Sequence, residues 1–174
     1  MKYSLLTYSA IKEIKTVALH TDFTILFYKK MDKILETAYI HHIVKKDYEL
    51  TFKGIIFRFI WNGFNRFNGI TKGKVKVEEI KGKLFINYKL YFTEIFILCS
   101  FFSIIPFLGF FETQLFRILA LIIIWSIYIG NNILAANRIE SLFEIIENEI
   151  NEIPEYKKEI EFKKEIKNAP AASK

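Results

Sequence analysis

The sequence predicts an α+β membrane protein: a small antiparallel β-rich N-terminal domain, then a two-helix transmembrane hairpin, then a C-terminal amphipathic helix. Three observations predict it. Apolar residues are concentrated between Tyr88 and Ala136, where only Lys89, Glu94, Glu112 and Arg117 carry charge. Residues 1–88 contain several stretches that alternate with the strand period of two. Residues 138–153 repeat their apolar side chains at helical spacing.

Within residues 1–88, Ile11, Ile14, Val17 and Ala18 give 9–20 the pattern of a short amphipathic helix. The run Asp22–Tyr28 reads as a strand. Residues 29–44 fit either structure: Met31, Ile34, Leu35 and Ala38 suit a helix, and the β-branched and aromatic residues from Ile34 to Val44 tolerate a strand. Tyr48, Leu50 and Phe52 alternate, Lys53-Gly54 offers a turn and Ile55–Trp61 follows, which predicts a hairpin. A second hairpin is clearer. Lys74–Val77 alternates, Lys81-Gly82 can turn, and Leu84, Ile86, Tyr88, Leu90 and Phe92 share one face of a strand that runs directly into the apolar segment. The sum is a sheet of five or six strands with little helix. A domain of this kind on a membrane hairpin resembles, at the level of fold alone, the pleckstrin-homology-like sheets of small bacterial membrane proteins.

Between the hairpins lies WNGFNRFNGITKG, residues 61–73, with turn-forming pairs at Asn62-Gly63 and Asn68-Gly69. Trp61, Phe64 and Phe67 surround Arg66. Such a cluster suits the core of a small sheet, the headgroup region of a membrane or stacking on nucleic-acid bases. The core is the simplest use and nucleic acid the least favoured.

The hairpin occupies residues 89–137. Its spans are 90–111 and 115–136, each about 22 residues or ~33 Å of helix, against a hydrocarbon core of ~30 Å. Glu112, Thr113 and Gln114 are the whole polar connection, so the spans are antiparallel neighbours. The lysines at 72, 74, 76, 81, 83 and 89 flank the first span and Arg138 follows the second, whereas Arg117 alone lies near the loop. The positive-inside rule therefore predicts a multi-pass protein of the cytoplasmic membrane with both termini in the cytoplasm. Glu94 falls level with Asn131 and Asn132 near the inner boundary, as an ion or proton site or, more simply, as a solvated carboxylate. Ser126 and Gly130 have the small-xxx-small spacing that lets helices approach closely, and Pro106 is expected to bend the first span.

Residues 138–167 read as an acidic amphipathic segment. Ile139, Leu142, Phe143, Ile146, Ile150 and Ile153 form one face with glutamates opposite, and 168–174 read as a frayed tail. Charge is segregated along the chain: residues 1–90 hold 17 Lys/Arg against 8 Asp/Glu, while 137–174 hold 7 against 9. The acidic helix is thus expected to pack on the basic domain or on a partner helix, not on anionic lipid.

Chemistry is sparsely signalled. His41-His42 and His20 lack the spacing of a metal site. There is no phosphate loop, no nucleophile elbow and no cofactor motif. Cys99 is the single cysteine, and the first twenty residues do not read as a signal peptide. These features predict a non-catalytic accessory or scaffold protein whose partners are the lipid bilayer and a protein partner or second copy. A membrane-surface sensor of lipid headgroups or a small ligand is the alternative. A small transporter using Glu94 and Asn131 is less favoured.

Overall fold

The computed structural model describes residues 2–15, 20–38, 40, 42–46, 49–53, 67, 69–108 and 113–154. Among the described residues six strands form one antiparallel sheet: β1 (Lys2–Ser4), β2 (Thr7–Ile14), β3 (His42–Lys46), β4 (Glu49–Lys53), β5 (Lys72–Ile80) and β6 (Lys83–Tyr91). Their order across the sheet is β1-β2-β6-β5-β4-β3. Helix α1 (His20–Thr37) crosses between β2 and β3; α2 (Thr93–Phe102) and α3 (Gln114–Asn151) follow β6. The chain is therefore α+β, as its patterning predicts.

The β5–β6 hairpin forms as the alternation requires. Lys81 and Gly82 both adopt positive φ, 55° and 73°, the conformation of a two-residue turn that matches strand twist. That turn fixes the register, pairing Val77 with Ile86 and Val75 with Tyr88. One face of the sheet is covered. Tyr8, Ala10, Leu50, Phe52, Val75, Ile86, Tyr88 and Leu90 point into it and are buried. Gly73 lacks a side chain because the ring of buried Phe52 fills its place; a Cβ there would lie inside van der Waals contact of three ring carbons.

Two predicted elements exchange identities. Residues 7–14 form β2, with Tyr8, Ala10 and Ile14 buried and Ile11 turned outward, so Ile11 and Ile14 do not share a helical face. The run Asp22–Tyr28 belongs to α1: Phe23, Phe27, Met31 and Leu35, four residues apart, are all fully buried, and Ile25 is exposed. The ambiguous stretch 29–44 resolves as helix to Thr37 and strand from His42. The predicted strand Ile55–Trp61, the loop residue Glu112 and residues 155–174 lie outside the described residues.

The apolar segment also differs from two equal spans. Leu90 and Tyr91 belong to β6, and Leu90 is fully buried in the sheet core. Helix α2 has 10 residues and gives way at Ser103 to a 3-10 turn, Ile105–Phe107, with Pro106 at its start. At ~1.5 Å per residue ten residues make ~15 Å, too short to cross a bilayer. Among the described residues, one helix is long and apolar enough to do so: α3, with 38 residues.

Helix α3 carries two jobs in one rod. From residue 114 to residue 127 the helix stands clear of the sheet. Its second half docks on the sheet through Ala135, Ala136, Ile139, Leu142, Phe143, Ile146 and Ile150, beside α1. Phe143 is central, with its ring 5.1 Å from that of Tyr88 and 5.8 Å from that of Phe27. The acidic amphipathic segment is thus continuous with the second apolar one and completes the core of the sheet domain.

Candidate functional site

Exposed apolar surface is concentrated in one part of the molecule. Of the twenty large apolar side chains exposed among the described residues, sixteen lie between Ile97 and Leu134. They come from α2, its 3-10 turn and the first half of α3. Only 11% of the apolar window of α3 is buried, whereas a core helix of a water-soluble fold would be mostly covered. A contiguous patch of this extent marks a surface that meets lipid or another protein.

The base of this apolar arm is built from aromatic rings. Phe96 of α2 lies 5.7 Å from Trp125 and 5.9 Å from Tyr128 of α3, all in edge-on arrangements. The Tyr128 hydroxyl donates to the carbonyl of Leu5 in the β1–β2 turn, and the Phe92 N–H donates to the Leu6 carbonyl at 2.9 Å. Both legs of the arm are therefore fastened to the same edge of the sheet. Phe92 gives α2 no side-chain cap, but Thr71 does: its hydroxyl oxygen accepts the Glu94 N–H at 3.0 Å. Tryptophan and tyrosine at this level match the residues that favour a membrane–water boundary.

Glu94 and the two asparagines are not joined. The Asn131 side chain instead packs against Gly69, whose φ of 83° excludes most other residues and whose place a Cβ could not share with the amide. The Asn131 Nδ2 and Asn132 Oδ1 atoms are buried without hydrogen-bond partners among the described residues. No bond links Glu94 to either amide, so the expected polar cluster is not assembled: Glu94 lies on α2 and the two amides on α3.

The other expected residues fall as follows. Ser126 is exposed and a Cβ on Gly130 would meet nothing within 4 Å, so this pair does not pack α2 against α3; the rings of Phe96, Trp125 and Tyr128 do that. Trp61, Phe64 and Arg66 lie outside the described residues, as does His41. Phe67 is buried and stands edge-on to Phe52 at 5.3 Å, filling the core instead of facing a membrane or a nucleic acid. Among the described residues no group of three or more His, Cys, Asp or Glu is gathered as metal ligands would be.

A second polar cluster, not read from the sequence, locks α3 to the sheet. The hydroxyls of Tyr8 (2.7 Å) and Tyr88 both donate to the Glu140 carboxylate. Burial, then Glu140, then Tyr8 raise the Tyr88 phenol well above the ordinary tyrosine range. Lys12 pairs with Glu144 at 3.0 Å and Lys30 with Glu149 at 2.5 Å. Buried Glu147 accepts the Lys15 backbone N–H at 2.8 Å. The glutamates of α3 are thus engaged within the chain. A signal did exist: glutamates at 140, 144 and 147 follow the helical repeat, along the flank of the apolar face.

Compared with protein-family models, with curated proteins and with solved structures, the chain matches none.

Proposed function

We propose that this chain is a non-catalytic membrane module: an apolar arm enters the bilayer from one side and the sheet domain rests on that same side. The observation that carries this reading is that both legs of the arm are fastened to one sheet edge, through Phe92–Leu6 and Tyr128–Leu5. An apolar segment anchored in this way leaves and returns on one side of whatever covers it, which is the topology of a hairpin. The lysine excess in residues 1–90 favours the cytoplasmic side.

Depth constrains the seating. Residues 114–127 stand beyond Tyr128, and at ~1.5 Å per residue they reach ~21 Å, less than the ~30 Å hydrocarbon thickness. For the tip to approach the far side, the sheet edge has to lie against the headgroups. The aromatic base at Phe96, Trp125 and Tyr128 is suited to that level.

Partner binding through the acidic helix is less well supported, because its apolar face and four of its glutamates are engaged by the chain's own sheet domain. A lateral partner within the membrane is a second reading, favoured by the exposed Ser126 and the open space beside Gly130. Extraction tests the main proposal. The full chain is expected to stay with membranes through washes in high salt and to be released by mild detergent. Release by salt alone would contradict it.

A further inference from the structure

The sheet has one face without helices, and its charge is uneven along the strands. Far from the apolar arm the charges are matched: Lys83 pairs with Glu13, and Lys76 with Glu78, each at 2.7 Å. Beside the arm they are not. The two rows nearest α2 present Lys2, Lys53, Lys72, Lys74 and Lys89 around Tyr91. Among the described residues their acidic neighbours are Glu49, which takes Lys74 at 2.7 Å, and Glu94, near Lys53.

The register sharpens the imbalance. Lys53 stands directly opposite Lys72, and Lys74 directly opposite Lys89. Like charges opposed across strands destabilise a sheet. Tyr91 offers partial relief, with the ammonium of Lys72 5.9 Å and that of Lys89 5.2 Å from its ring centroid. The ring keeps these two cations together without neutralising them. An anion with several acceptor oxygens would relieve what the protein leaves unrelieved.

We infer that this lysine rim, centred on Lys53, Lys72 and Lys89 around Tyr91, binds the phosphates of anionic phospholipid headgroups. The inference rests on the membrane reading above, which brings the rim to headgroup level: Tyr91 is two residues from the start of α2. Continuity with the apolar arm selects lipid over free phosphate as the source of the anion. Lysines held at a membrane surface are each attracted to anionic lipid, and salt screens that attraction.

The test uses the full chain in lipid nanodiscs of phosphatidylcholine, with or without phosphatidylglycerol. Lysines are modified with a water-soluble amine reagent and mapped by mass spectrometry. Modification of Lys53, Lys72 and Lys89 is expected to fall about fivefold when phosphatidylglycerol is present and to recover in high salt. Lys81 and Lys83, in the turn at the opposite end of the sheet, serve as controls and should not change. A chain that enters the discs but shows the same rim modification in both lipids overturns the inference and leaves the membrane reading standing. Equal protection by inorganic phosphate in phosphatidylcholine discs overturns the assignment to a headgroup. Failure to enter either disc overturns both.

Discussion

The Tyr88 hydroxyl of β6 donates to the carboxylate of Glu140 on α3, and Tyr8 of the neighbouring strand β2 donates to the same oxygen. This joint holds the second half of α3 on the sheet while residues 114–127 stand away from it. Hydrogen bonds to a charged acceptor contribute more than neutral ones, and a buried donor left alone is costly. Tyr88→Phe removes one donor and leaves Tyr8 in place, so a loss of about 1–2 kcal/mol is expected. Glu140→Ala removes the shared charged acceptor from both hydroxyls and should lose more, about 2–4 kcal/mol. Chemical denaturation in mild detergent checks the order. An unchanged midpoint for Glu140→Ala would show that apolar contacts alone hold the helix.

Alkaline pH should act through the same tyrosine. The folded state raises the Tyr88 phenol above its ordinary value, chiefly by burial and then by Glu140; Tyr28 is also raised, chiefly by burial. An unfolded tyrosine loses its proton near pH ~10. Below that pH both states hold the proton and the stabilisation is complete. Above it the unfolded state releases a proton that the folded state keeps, so stability falls as pH rises. Tyrosinate absorbance should therefore show a late fraction that appears together with loss of near-ultraviolet circular dichroism. Titration of every tyrosine as one ordinary group, with the fold intact, would contradict the buried joint.

Two glycines should respond oppositely to the same change. Gly73→Ala drives a methyl into Phe52, which is fully buried and packed on Phe67, so the ring has no room to yield. Overpacking of this kind costs about 1–3 kcal/mol. Gly130→Ala meets open space and gains helix propensity, so it should be neutral or stabilising by up to about 1 kcal/mol. Thermal unfolding of the two variants separates them. Destabilisation by Gly130→Ala, with a change in oligomeric size, would instead place a partner helix against that face.

Asn132 carries a buried carbonyl oxygen without a donor. Replacing such a group by an apolar one of similar size removes a desolvation cost of about 1–3 kcal/mol. Asn132→Leu should therefore raise the unfolding midpoint. A lower midpoint would show that the amide holds a contact of its own at the base of the arm.

Much of the fold is legible in the sequence, and the failures have physical causes. The β5–β6 hairpin is readable because nine-residue strands give several full periods and Lys81-Gly82 punctuates them. The docking face of α3 is readable for the same reason. Shorter windows mislead. In a chain that is 52% apolar, seven or eight residues fit both periods, so the patterns of β2 and the start of α1 each suit the other's structure. The longer spacing Phe23, Phe27, Met31, Leu35 settles α1, since no strand buries every fourth residue alone. Hydropathy also merges Leu90, a core strand residue, with the helix that follows, because the boundary at Phe92 changes conformation without changing polarity. The lysine rim was recoverable in principle. A two-residue turn at 81–82 pairs residues whose numbers sum to 163, which sets Lys72 opposite Tyr91 and Lys74 opposite Lys89. The Tyr8–Tyr88–Glu140 joint was not recoverable, since it depends on where a distant helix lands.

The most direct measurement of the central claim is the environment along α3 in a bilayer. Spin labels at Leu119→Cys, Ile123→Cys and Ile127→Cys would be compared with labels at Ser141→Cys and Asn148→Cys, each in a Cys99→Ser background. All five positions are exposed on the one helix. In reconstituted vesicles the first three labels are predicted to meet oxygen dissolved in lipid and to be shielded from a water-soluble relaxing agent. The last two are predicted to show the reverse. Water access along residues 119–127 would contradict the account, because the exposed half of α3 would then not be covered by a membrane.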